Sequence, residues 1–328
     1  MKHLRLISIF ICMGILFLGF STKYFEVDAE LTNTASASKT GKDPLTIELE
    51  SFSQEHHIPA VDAKVDRVWK AIPGYNGLEV DIEASHKIMK ANGKMDKSKV
   101  VYKETSPAVH LEDLGPHPIF KGNPDKPMVA FLINVAWGNE FIPEILDVLK
   151  ENKTKVSFFF DGSWVRNNPD LAKMIFKDGH EIGNHAYSHP DLQRKSEVET
   201  SEELKRTNDI ISKTLGIESP KWFGPPSGSF NQQTVEVASQ LGMHTVLWTV
   251  DTVDWKKPAT SVMVNRVVTQ VENGSMILMH PTKPVAEGIG AMITQITEQG
   301  YRLGTVSELM SEKRVIIKKD GPVPPLSQ

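Results

Sequence analysis

Two histidines four residues apart, His185 and His189, sit behind Gly179 and just ahead of Pro190. On one helical turn, residues i and i+4 lie side by side, so this spacing predicts two imidazole nitrogens presented to a single divalent ion. The only cysteine, Cys12, lies in an apolar N-terminal run, so any such site must be completed by histidine or carboxylate. Other residues able to do chemistry stand where short apolar runs end. These are Asn134, Asp161, the turn Pro225-Pro226-Ser227-Gly228, the stretch from Asp251 to Trp255, and His280. Together they describe one rim.

The elements that must position this rim are read from periodicity. Residues 128–133 and 156–160 read as buried strands, as do Trp222–Phe223, residues 245–248 and Met276–Met279. Ile142, Ile145, Leu146 and Leu149 recur at i, i+3, i+4 and i+7, which predicts a helix. Further helices are expected over Pro169–Lys177, 198–215, Gln232–Gln240, 262–271 and 286–298. Alternation of this kind predicts an α/β fold with a parallel sheet, open or closed into a barrel, and chemistry at the C-terminal ends of its strands.

Residues 45–123 read as a small α+β module: an apolar segment at 65–72, a turn at Pro73-Gly74, a helical stretch at 82–91 and an extended piece at 100–102. Pro107, Pro116, Pro118, Pro124 and Pro127 then punctuate a connection that is not helical throughout. Residues 23–44, rich in Thr, Ser, Ala and Lys from 30 to 43, predict a flexible tether, and 311–328 a tail. Lys2, His3 and Arg5 followed by the apolar run 6–20 have the order of a secretion signal, so residues 1–22 are expected to direct export or to remain as an anchor. The expected location is therefore secreted or at the outer face of the cytoplasmic membrane, with membrane contact through this segment only. The 328 residues, 40% hydrophobic and 24% charged, suit one large domain or two smaller ones. Lys and Arg number 37 against 41 Asp and Glu, with no basic stripe interleaved with aromatics, which argues against nucleic acid as a partner.

Four ordered motifs carry a resemblance. His185-Ala186-Tyr187-Ser188-His189, Gly224-Pro225-Pro226-Ser227-Gly228, Asp251-Thr252-Val253-Asp254-Trp255 and Leu278-Met279-His280 resemble the metal, groove, Asp-x-x-Asp-Trp and Leu-x-His motifs of the polysaccharide deacetylase family. These are the carbohydrate esterases with a NodB-homology domain, and the resemblance covers residues 126–310. The run 300–309 looks like the family's closing segment, and the N-terminal signal is similar to that of the Gram-positive, sporulation-associated branch. The resemblance implies a distorted (β/α) barrel that removes acetyl groups from N-acetylglucosamine units of peptidoglycan or chitin-like glycans. It implies a divalent metal, zinc by preference, on His185 and His189, with His280 protonating the departing amine and Asp251 holding His280. It implies a substrate groove formed by Pro225, Pro226, Gly228, Trp255 and Leu278.

The first motif departs from the pattern. The family carries Thr-Phe-Asp-Asp-Gly at the end of its first strand, its first Asp being the base and its second a metal ligand. Counting back from Pro143 without a gap places Leu132-Ile133-Asn134-Val135-Ala136 there. A neutral amide has no useful basicity near pH 7, and valine ligates no cation. The arginine that pairs with the base is here Gly224; removing one member of a buried ion pair costs about 3–5 kcal/mol, whereas removing both is nearly neutral. Ala186 also stands where Ser or Thr is usual. Three readings follow. The first is a weakly active or inactive family member with a glycan groove and a defective metal site. The second is an active metal-dependent deacetylase whose base has moved to Asp161 or Glu140. The third is a non-catalytic envelope protein in which Trp255 and Ile277 are core. Against the catalytic roles stand an Asp-Gly turn for Asp161, a helix N-terminal charge for Glu140 and a turn cap for Asp251.

Overall fold

Eight consecutive buried residues, Met128–Val135, form the central strand of the molecule, here numbered β5 by chain order. A strand buried on both faces reads as a continuous apolar run, as parallel strands between two layers do. The computed structural model describes residues 41–315, so the expected signal or anchor and parts of the tether and tail lie outside the described residues. From Lys42 onward the described residues form one compact unit. Among them no helix is long and apolar enough to cross a membrane.

After β5 the chain alternates as expected. Strands β6 (Ser157–Phe160), β7 (Glu181–Asn184), β8 (Trp222–Phe223), β9 (His244–Thr245), β10 (Val250–Asp251), β11 (Met276–Met279) and β12 (Arg302–Gly304) follow. Between them lie α3 (Ile142–Glu151), α4 (Gly162–Asn167), α5 (Pro169–Lys177), α6 (Glu197–Leu215), α7 (Gln232–Gln240), α8 (Thr260–Gln270), α9 (Lys283–Glu298) and, last, α10 (Val306–Met310). The sheet order is β10-β11-β5-β6-β7-β8-β9, all pairs parallel, with β12 against the first half of β5. No pairing joins β9 to β10, so this is a curled, incompletely closed barrel of the kind the resemblance implied. The single strand expected at 245–248 is two short strands, β9 and β10, and β7 is a strand that periodicity did not single out.

The pleat divides the core in two. Val129, Phe131, Ile133 and Val135 point outward and pack with Ile145 and Leu149 of α3 and Ile289 and Ile293 of α9. Ala130 and Leu132 point inward, with Phe159, Trp222 and Met276. Each fully buried aliphatic side chain of this kind contributes about 1.5–3 kcal/mol.

Residues 45–123 carry α1 (Pro44–His56), the hairpin β1 (Lys64–Asp66) with β2 (Lys70–Ile72), and the pair β3 (Gly77–Val80) with β4 (Tyr102–Thr105) flanking α2 (Ile82–Met89). Helix α1, not anticipated from sequence, buries Leu45, Leu49 and Phe52 against Val80 and Met89. Ala71, Leu111 and Ile119 instead join the inward-facing core of the barrel. Within the barrel, Lys126 is almost wholly buried, and its ammonium donates to the carbonyls of Glu308 at 2.5 Å, Leu309 at 3.2 Å and Ser311 at 2.5 Å and so closes the end of α10. Burial pushes this ammonium down to about 8 from 10.5. A lysine that is neutralised more easily folded than unfolded is penalised while charged, so this penalty is full below pH 8 and is relieved as pH rises from 8 toward 10.5. The wild type should accordingly gain stability relative to Lys126→Met across that window, measured by urea unfolding at stepped pH.

Candidate active site

The inward-facing layer at the C-terminal end of the barrel holds the site. Strand register sets Asn134 opposite Phe159 and Phe159 opposite Gly183, while Ile133 opposite Met279 brings His280 level with Asn134. A cleft of about 440 Å³ opens above them, lined by Asn134, Trp137, His189, Ser227, Trp248, Asp251, Trp255, Leu278 and His280. Six predicted site residues therefore share one cleft: Asn134, His189, Asp251, Trp255, Leu278 and His280. Pro225, Pro226 and Gly228 do not line it; they form the turn that lifts Ser227 into it. Gly228 is required there, because its φ is +66° and a Cβ would stand 2.8 Å from the Trp248 ring.

His185 and His189 are not on a helix. They lie in a loop after β7, with Ala186 at φ 59° and His189 at φ 55°. Each left-handed non-glycine residue costs about 1–2 kcal/mol, and neighbouring hydrogen bonds offset it. Glu203 of α6 accepts from the Tyr187 and Ser188 amides at 2.9 and 2.8 Å and from the Ser188 hydroxyl at 2.8 Å. Asn184 accepts from the Ala186 amide at 2.8 Å. Sequence reasoning missed Glu203, which nothing local to the motif announces.

The two rings face each other edge-on with centroids 5.2 Å apart. His185 is fully buried, and its Nδ1 lies 2.6 Å from the Gly224 carbonyl, an acceptor only, so Nδ1 carries the proton and Nε2 keeps its lone pair. Burial, then the neighbouring His189, push the His185 imidazole down to about 3, so it is neutral at pH 7. One imidazole is thus prepared as a ligand. The set is not completed: among the described residues no group of three His, Cys, Asp or Glu side chains could hold a metal. Val135, at the position of the expected third ligand, belongs to the outward-facing core. The residues present do not fit a three-ligand metal site of the family's kind.

The carboxylate that holds His280 is Asp254, not Asp251. Fully buried Asp254 accepts from the His280 amide at 2.7 Å, from His280 Nδ1 at 2.9 Å and from the Thr282 hydroxyl at 3.1 Å. Asp251 instead accepts from the Val253 amide at 2.8 Å, the turn cap, while still lining the cleft. The reason is local: Val253 at φ 54° turns the chain after β10 and swings Asp254 back beneath β11. The Asp-x-x-Asp spacing contained both candidates, and only this turn separates them. Trp137 lies nearly parallel to the His280 ring, centroids 5.7 Å apart and planes 10° apart, and was also missed.

The alternative bases stand elsewhere. Asp161 caps α4, accepting from the Trp164 amide at 2.9 Å and the Ser163 hydroxyl at 2.6 Å, and it does not line the cleft. Burial raises its carboxyl above the usual range despite those hydrogen bonds. Glu140 lines a neighbouring cavity. Beside Gly224 the space is taken by Phe159, whose Cδ1 would lie 3.1 Å from a Cβ at that position.

The curled parallel barrel with a cleft at the C-terminal ends of its strands is the architecture the resemblance implied. The profile of the polysaccharide deacetylase family matches residues 121–246. The chain is 30% identical to the peptidoglycan-N-acetylmuramic acid deacetylase PdaA of Bacillus subtilis over 60% of this chain and 76% of PdaA. It is 54% identical to the uncharacterized protein YlxY of the same organism, over 87% and 88% of the two chains. Among solved structures it is similar to BA3943, a CE4 family pseudoenzyme from Bacillus anthracis, with TM-score 0.78, 45% identity and coverage of 83% and 97%. A mutant of BA3943 with restored enzymatic activity aligns with TM-score 0.77 and 44% identity, covering 83% and 99%. The chain belongs to the polysaccharide deacetylase family.

Two contrasts test the geometry by urea unfolding. Asp254→Ala strands three donors and should cost on the order of 3 kcal/mol or more, while Asp251→Asn should stay within about 1 kcal/mol. Val135→Asp forces a charge into the outward core and should cost on the order of 3 kcal/mol or more, whereas Asn134→Asp, at a buried position that lines the cleft, should cost less.

Proposed function

We propose that the protein binds N-acetylglucosamine-containing glycan of the cell envelope, in peptidoglycan or a chitin-like polymer, with weak or no deacetylation. The observation that carries this reading is Asn134 in the cleft, level with His280, where a base is needed. His280 is held by Asp254 and keeps the geometry of a proton donor. Its counterpart for activating water is an amide, and the loss of a general base costs about a hundredfold to ten-thousandfold. His185 and His189 lack a third ligand among the described residues. Trp137, Trp248 and Trp255 supply the flat apolar faces on which sugar rings stack, which supports retained glycan binding. As part of the same proposal, the protein acts outside the cytoplasmic membrane, exported or anchored by its N-terminal segment.

A second reading has its own observation. Asp251 is the carboxylate that lines the cleft, so residual hydrolysis, if measured, should depend on it rather than on Asp161 or Glu140.

The test is acetate release from N-acetylglucosamine oligomers and from peptidoglycan with zinc supplied. The wild type should release little or none. Asn134→Asp should raise the rate, and adding Gly224→Arg should help only if Phe159 yields. Ordinary deacetylase rates in the wild type would overturn the proposal, and their loss in Asp251→Asn would establish the second reading.

A further inference from the structure

The end of the barrel opposite the cleft carries a cavity of about 370 Å³, lined by Lys126, Arg302, Ser307, Ser311, Lys313 and Arg314 among others. Met128, which opens β5, and Arg302, which opens β12, also line it and place it at the N-terminal ends of the strands. A volume of this order is in the range of small-ligand sites. None of these residues belongs to the cleft.

Its charge is one-sided. Lys126, Arg302, Lys313 and Arg314 stand against a single lining carboxylate, Glu308. That carboxylate is already engaged, accepting from Arg302 Nη2 at 2.8 Å and from the Thr305 amide at 3.0 Å. Glu104 accepts from the Arg314 amide at 3.2 Å and from the Asn76 side chain at 2.6 Å, and it does not line the cavity. Lys126 spends its three N–H groups on backbone carbonyls and so adds charge without a free donor. Burial is the first cause of its lowered pKa, and the charge of Arg302 is the second. Like charges gathered in a concavity are relieved by an anion set among them.

The cavity also holds donors with nothing to meet. Ser307 Oγ accepts from Trp222 Nε1 at 2.7 Å and Ser311 Oγ from the Lys313 amide at 3.3 Å, which leaves each hydroxyl proton to donate. Arg314 is fixed by Nη1 on the Asn76 carbonyl at 2.7 Å and by its place over the Tyr75 ring at 4.5 Å, with further N–H groups left over. Lys313 is exposed and makes no ion pair among the described residues. A guanidinium, an ammonium and two hydroxyls are therefore free to donate.

We propose that this cavity binds a phosphate ester, its phosphoryl oxygens taken by Arg314, Lys313 and the two serine hydroxyls above the buried charge of Lys126. Several donors of this kind match the three or more acceptor oxygens of a phosphate better than the two of a carboxylate. The volume equals that of about a dozen waters, which leaves room for the esterifying alcohol beside the phosphate. That alcohol belongs either to a soluble small molecule or to a phospholipid headgroup. The inference is independent of glycan binding at the other end of the barrel.

The experiment is calorimetric titration of the full chain with sn-glycerol 3-phosphate and with glycerophosphoglycerol, the headgroup of phosphatidylglycerol, in sodium chloride of matched ionic strength. At least one of the two esters should bind. Lys313→Gln should weaken that binding about tenfold, and Ser311→Ala about threefold. Tighter binding of the diester assigns the phosphate to a lipid headgroup, and tighter binding of the monoester to a soluble molecule. Equal affinities place recognition in the phosphate itself, and each of these three results supports the proposal. No binding of either ester, or affinities unchanged in both variants, would overturn it and leave the reading of the cleft untouched.

Discussion

The period-two pleat of β5 is the constraint from which the site follows. Hydrogen-bonded between β6 and β11, this strand has no freedom to slip, since one residue of slippage would exchange its inner and outer faces. Asn134 consequently faces the cleft, and Val135 faces the helices with Phe131 and Ile133. The two departures at the first motif are thus of different kinds. Asn134 lines the cleft with an amide, which has no useful basicity near pH 7. Val135 has been absorbed into the core, where its chemistry answers to packing.

Around that strand, the functional loops are held in costly conformations by buried polar anchors. Ala186 and His189 adopt left-handed backbone under the control of Glu203 and Asn184, and Val253 and Lys257 do so around Asp254. A strained conformation persists only where its surroundings over-determine it. Buried hydrogen bonds thus hold the backbone beside the imidazole pair and at His280. Each of these anchors also satisfies buried donors of the fold.

Packing also decides what stands beside Gly224. Phe159 lies across Gly183 and Gly224, filling the barrel interior that a longer side chain would otherwise need. A close-packed interior leaves no empty volume beside Gly224 for a long side chain. The Gly224 carbonyl meanwhile orients His185, so this position still serves the histidine it adjoins.

Much of this was legible in the chain. Apolar runs and i, i+3, i+4, i+7 spacing announced β5, β6, α3 and the alternation after them, because burial imposes those periods locally. The deviant first motif was equally plain, since a change from carboxylate to amide is a fact of composition. Other features depended on residues far apart. The histidine spacing suggested a helix, yet Glu203, contributed by α6, helps to hold a left-handed loop there. The Asp-x-x-Asp spacing offered two partners for His280, and the reversal at Val253 selected Asp254. Trp137 gave no signal of its own until Pro281, which leaves no room for a side chain at Gly138, and His280 came beside it. The sequence by itself determined most of the alternating elements, the family and the amide at position 134; tertiary structure alone decided which polar side chains meet, because their hydrogen bonds form only after distant elements pack.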